Sequence, residues 1–139
     1  MTDTKLEGLR KVPLFVDCDR RAMAAIGQAA DELDLRDGHV LARQGELGQE
    51  FFLILEGTVR IERDGKLLRR LGPGEFLGEI ALVHEGRRTA TATAEGPVRV
   101  AVLTHRSFDT LLDDHPAVAR AVMLALAARV RELERDAVG

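Results

Sequence analysis

The chain has 139 residues, 45% of them hydrophobic and 31% charged, with a formal net charge of −3. That is enough chain for one domain with its own core, and an ordinary globular balance rather than that of a disordered or membrane-embedded protein. Cys18 is the single cysteine, which excludes an intrachain disulfide and, within one chain, a cysteine-ligated cluster or structural zinc site.

In chain order, the N-terminal MTDTKLEGLRK lacks the apolar region of a secretory signal, so cytoplasmic residence is expected. Leu6 to Ala30 reads as helical. Asp17 or Asp19 is placed to cap a helix that turns Met23, Ile26 and Ala30 toward the core, and Val12-Pro13-Leu14-Phe15 forms an apolar plug before it. From Leu33 the period shortens, and apolar runs alternate with glycine turns. The expected strands are His39–Arg43, Phe51–Leu55, Thr58–Arg63, Lys66–Leu71, Thr89–Ala94 and Val98–Leu103. Asp64-Gly65 signals a type I′ hairpin, whose two central residues both need positive φ. Glu56-Gly57 and Glu95-Gly96-Pro97 read as further turns. Helix returns with Thr104 as N-cap for His105–Asp113, and Pro116 opens a long helix to about Asp136. Helices at both ends of a block of strands make an α+β, mainly β arrangement.

One segment interrupts the strands: Phe76-Leu77-Gly78-Glu79-Ile80-Ala81-Leu82-Val83, then Arg87-Arg88-Thr89-Ala90. Leu77 to Val83 is too apolar for a solvated loop and too short for a normal helix, so a single helical turn is expected. Gly78 lets a ligand approach the backbone. The amides of Glu79, Ile80 and Ala81 would open the turn without intrahelical acceptors, a ready anion site. Arg88 can hold two phosphate oxygens in one guanidinium fork, Thr89 adds a hydroxyl, and the Glu79 carboxylate can accept from a sugar hydroxyl. Together these groups point to a phosphorylated nucleoside.

These residues resemble the phosphate-binding cassette of the cyclic-nucleotide-binding domain family, which includes catabolite activator proteins, protein kinase A regulatory subunits and cyclic-nucleotide-gated channels. The likeness extends through Val12–Phe15, Arg43-Gln44-Gly45-Glu46, Phe51–Gly57 and Phe108–Pro116. It implies one domain over residues 1–139: N-terminal helices over 1–32, a β-roll of about eight strands over 33–103 with the cassette at 76–90, and hinge and lid helices over 104–139. It implies Arg88, with Thr89 and Ala90 beside it, on the cyclic phosphate, backbone amides of Ile80 and Ala81 on the phosphate oxygens, and Glu79 on the ribose 2′-hydroxyl. Leu71, Leu77 and Gly78 would line the cavity, with Arg129 and Leu133 of the last helix over the purine. The ligand would be cAMP or cGMP, with no cofactor and no catalytic role.

Other features read more plainly. His39, His84, His105 and His115 lack metal-site spacing. Arg69-Arg70 and Arg87-Arg88 lie among enough acidic residues to read as solvated surface rather than a nucleic-acid patch. The acidic balance, with five Phe and neither Trp nor Tyr, speaks against direct nucleic-acid binding, and no stretch reaches the ~20 apolar residues of a membrane span. Ala119, Met123, Leu126, Val130, Leu133 and Ala137 follow coiled-coil spacing. They would serve a homodimer or pack on the roll, with an effector domain outside this chain as the other partner. The competing functions are a nucleotide-independent dimerisation scaffold and a cupin-like metalloenzyme, and the second lacks its His-x-His pair.

Overall fold

The run Phe51-Phe52-Leu53-Ile54-Leu55 is buried at every position, which a strand permits only when both of its faces are covered. Phe51, Leu53 and Leu55 face one apolar cluster, and Phe52 and Ile54 face another, as the two-residue period of a strand requires. The structure is a computed structural model that describes residues 4–138.

Eight strands are present: β1 (Asp31–Leu35), β2 (Val40–Ala42), β3 (Leu47–Gly48), β4 (Glu50–Arg63), β5 (Lys66–Leu71), β6 (Phe76–Leu77), β7 (Gly86–Arg87) and β8 (Thr91–Thr104). Six form one sheet with the path β1-β8-β4-β5, in which β2 also pairs with β8 and β6 with β4, while β3 and β7 make a separate ribbon. The sheet does not close on itself. Its spine is the antiparallel β4–β8 pair, running from Glu50↔Thr104 to Glu62↔Thr91.

Two expected turns are instead irregularities within these strands. Glu56-Gly57 and Glu95-Gly96-Pro97 lie inside β4 and β8, and the register shifts between Ile54 and Thr58. Gly57 has φ +92°, and a Cβ there would stand 2.5 Å from the Pro97 carbonyl oxygen. The glycine lets two long strands bend together, so the four expected segments fuse into two. Asp64 (φ 53°) and Gly65 (φ 77°) do form the expected hairpin.

The helices pack against one face of the spine. Leu6–Ala30 divides into α1 (Thr4–Arg10), a 3₁₀ turn over Pro13–Phe15 and α2 (Arg20–Ala29), because Pro13 cannot continue a helix. Asp19 is the cap, accepting from the Ala22 amide at 2.8 Å. Asp31–Leu35 was not expected as a strand; its DELDL sequence is an edge strand with four exposed residues, too acidic to show an apolar alternation. At the other end Thr104 caps α3 (His105–Asp114) by accepting from the Ser107 amide at 3.0 Å. The last helix, α4, spans Pro116–Val138 and packs on the Pro13–Phe15 turn. Phe15 lies 6.1 Å from Phe51 and 5.9 Å from Phe108 between ring centres, joining the N-terminal plug, the sheet and α3.

Candidate functional site

The interrupting segment folds as a short strand (β6), a glycine, and a 3₁₀ turn over Glu79–Leu82. Gly78 has φ +83°, and a Cβ there would lie 2.5 Å from the Glu50 carbonyl oxygen and 2.6 Å from Arg88 Nη1. Both its conformation and the space around it therefore require glycine. The turn corrects one expectation. The Ala81 amide already donates to the Gly78 carbonyl at 3.1 Å, because a 3₁₀ turn closes one residue sooner than an α-helix. Only the amides of Glu79 and Ile80 precede that first bond.

Arg88 is held from both sides of its backbone. Its amide donates to Glu46 O and its carbonyl accepts from Gly45 N, each at 2.8 Å, beside the β3–β7 ribbon. Its side chain lies across Gly48, where any Cβ would collide with it, and Nη2 donates to Glu50 O at 2.6 Å. The guanidinium is half-buried among neutral carbonyls. Burial lowers its pKa from the ordinary arginine value, against a weaker opposite pull from Glu50. An arginine stays charged even so, which leaves a partly desolvated cation whose recorded side-chain bond is to a neutral carbonyl.

Glu79 is the other unusual group. It is 8% exposed, the only buried polar or charged side chain among the described residues. Oε1 lies 3.3 Å from Arg129 Nη1 on α4, while Oε2 is buried with no hydrogen-bond partner. A buried acceptor left in that state costs about 1–3 kcal/mol.

Arg88 and Glu79 line one cavity of about 680 Å³, and Leu71, Leu77, Gly78, Ile80, Ala81, Thr89 and Ala90 line it with them. Nine of the eleven expected residues therefore meet in one place. Arg129 does not form part of the wall and touches the site only through Glu79. Leu133 is 64% exposed and absent from the wall, since α4 is exposed from Ala127 to Ala137. The wall also includes Arg63, Arg69, His84 and Arg87, a basic lining that the reading of Arg69 and Arg87 as solvated surface missed. The available signal was their position beside the Asp64-Gly65 hairpin and the cassette arginine, at strand ends that converge. Arg63 Nε donates to Thr89 O at 2.9 Å and Arg87 Nη1 to Gly45 O at 2.7 Å. Among the described residues neither cation has a carboxylate partner, while Arg69 pairs with Glu75.

Among the described residues, no three of His, Cys, Asp and Glu gather closely enough to hold a metal ion. Among the same residues, no helix is long and apolar enough to cross a membrane. Burial, then the charges of Asp19 and Asp17, push the Cys18 thiol up to about 11, so it is a poor nucleophile at neutral pH.

Comparison with known proteins gives this geometry a context. A family described as "Cyclic nucleotide-binding domain" matches residues 32–115. A CRP-like cAMP-activated global transcriptional regulator of Mycobacterium tuberculosis is 29% identical over 135 residues, covering 94% of this chain and 60% of that protein. A cGMP-dependent protein kinase of Caenorhabditis briggsae is 34% identical over 113 residues, covering 76% of this chain and 15% of the kinase. The crystal structure of the N-terminal domain of a transcriptional regulator from Streptomyces coelicolor A3(2) superposes with a TM-score of 0.84 at 34% identity, covering 95% of each chain. This chain thus spans 60% or less of the curated relatives it matches.

Proposed function

This chain belongs to the cyclic nucleotide-binding domain family, and from that premise we propose that it is a non-enzymatic sensor that binds cAMP or cGMP and signals occupancy through α4. The observation that carries this reading is the pairing, in one cavity, of a guanidinium with no carboxylate partner and a buried carboxylate oxygen with no hydrogen-bond partner among the described residues. A cyclic nucleotide supplies what each lacks: an anionic phosphate for Arg88 and a ribose hydroxyl for Glu79. Thr89 and the amides of Glu79 and Ile80 supply neutral donors around the phosphate, and Leu71 and Leu77 supply apolar wall for the base.

The Arg129–Glu79 contact gives the output a starting point. A ribose hydroxyl donating to Glu79 would share the carboxylate that now holds Arg129, so occupancy and the position of α4 are coupled through one side chain. Ligand can shift that helix only by its difference in affinity for the two positions. Met123, Val130 and Leu133 are exposed on α4, and their coiled-coil spacing suits pairing with a second copy, so the same movement would be read at a dimer seam or by an adjoining effector domain. Calorimetric titration of cAMP and cGMP into protein unfolded and refolded to strip nucleotide tests the reading. One saturable site per chain is expected, and the ratio of affinities selects the base. No heat and no thermal shift with either nucleotide, in a protein that still self-associates, would put the dimerisation scaffold in its place.

A further inference from the structure

His105, the first residue of α3, sits where the cassette meets the hinge. Its Nδ1 lies 3.0 Å from the Ala81 carbonyl oxygen, and its Nε2 lies 3.5 Å from Glu85 Oε1. The ring is three-quarters buried, at 24% exposure. Glu85 is itself fixed, because its other oxygen accepts from Gln49 Nε2 at 2.8 Å, and the His105 amide donates to the Gln49 carbonyl at 2.7 Å. Gln49, Glu85 and His105 therefore close a ring of contacts joining the link between β3 and β4, the segment after the 3₁₀ turn, and the hinge helix. The Thr104 cap holds that helix in place at the same point.

The chemistry of this ring of contacts is one-sided. A carbonyl and a carboxylate are both acceptors, whereas a neutral imidazole carries one N–H and one lone pair. Either neutral tautomer turns a lone pair toward an oxygen. The imidazolium satisfies both contacts, and histidine is the side chain whose charge changes in the physiological range. Among the described residues, Glu85 is the charged side chain that pairs with the ring. Among the same residues the 3₁₀ turn contributes only the Ala81 carbonyl, the β3–β4 link only neutral Gln49, and the ring's own helix no charged partner.

We infer that His105 is a proton-dependent positioning residue, which in its imidazolium form latches the cassette turn to the hinge helix and so pre-organises the ligand site. The inference rests on the cyclic-nucleotide reading for its effect on affinity, but not for the latch itself. Protonation favours the latched state, so its contribution is present at lower pH and lost at higher pH. A cyclic phosphodiester keeps one negative charge throughout this range, so the ligand does not supply the pH dependence. His84 lines the cavity and is the competing titratable group.

Two measurements test this. The first is a double-mutant cycle between His105→Gln and Glu85→Gln, read by urea unfolding at about pH 6 and about pH 8. A coupling present at the lower pH and absent at the higher is expected. The second is the affinity for cAMP and cGMP at both pH values in the parent, in His105→Gln and in His84→Gln. The parent and His84→Gln should bind about fivefold tighter at the lower pH, while His105→Gln should show no such change. No coupling at the lower pH overturns the latch, and an equal pH slope in His105→Gln overturns its effect on affinity. Coupling without binding of either nucleotide would defeat the cyclic-nucleotide reading and the affinity effect together. Binding without coupling would defeat the latch alone.

Discussion

The two apolar clusters share β4 and β8 yet are filled differently. On the helix side, Phe15, Phe51 and Phe108 are fully buried, with the Phe15 ring in contact with both others and Met23, Ile26 and Val118 in the same cluster. On the other side, the strands offer Ala42, Ala92, Ala94 and Val59, one phenylalanine, and a cavity of about 680 Å³ over part of the surface. Large rings in close contact fix the helices to the sheet, and small residues leave room for a guest. One end is packed solid, and the other is hollow in the way the proposed binding requires.

The strongest way to break that division is to remove a ring from the packed end. Phe108→Ala should cost about 3–5 kcal/mol of stability, read by urea unfolding, and the fraction that still folds should retain its affinity for nucleotide. A cost under about 1 kcal/mol would mean that the aromatic cluster does not hold the helices. At the hollow end the effect should invert. Arg88→Ala should weaken nucleotide binding by about 2–5 kcal/mol, roughly thirty-fold to several-thousand-fold, with a much smaller change in melting temperature. Unchanged affinity would remove Arg88 from the site. Gly78→Ala sits where the two properties meet. It should lose about 1–3 kcal/mol of stability from its left-handed backbone and lose binding too, because the new Cβ would press on Arg88 and Glu50. Thr104→Ala is smaller still, at about 1 kcal/mol for a lost N-cap, measured by thermal unfolding.

The packed end was legible because its signals are local. The Thr104 cap, Pro116 at a helix start, the Asp64-Gly65 hairpin and the run Phe51–Leu55 each encode their own conformation in adjacent residues. The cassette was legible for the same reason, as Gly78, Glu79 and Arg88 fall within one short stretch of chain. What adjacency could not show is where distant residues converge. The bend shared by Gly57 and Pro97 exists only once β4 and β8 are paired. Arg69 and Arg87 read as surface until the fold brings them to the cavity wall. The two-residue strands β3, β6 and β7 are too short for any period to register. His105 carried no signal as an isolated histidine and gains its meaning only from Ala81 and Glu85, both remote in sequence.

Glu79→Gln should have the smallest effect on folding, yet it separates the two ends most cleanly. The carboxylate is buried, holds an exposed arginine through one oxygen and leaves the other unpartnered. A contact with a half-exposed Arg129 is worth about 0–1 kcal/mol, whereas a buried unsatisfied acceptor costs more than that. Removing the charge should therefore leave stability unchanged or raise it by up to about 1 kcal/mol, measured by urea unfolding without nucleotide. The same substitution should weaken nucleotide binding, and most of that loss should disappear when the ligand is a 2′-deoxy cyclic nucleotide. Those two outcomes together would assign Glu79 to the site rather than to the core. If Glu79→Gln instead destabilises the protein by several kcal/mol, the carboxylate is a structural tether for α4, and the division between a packed end and a binding end fails at the residue that joins them.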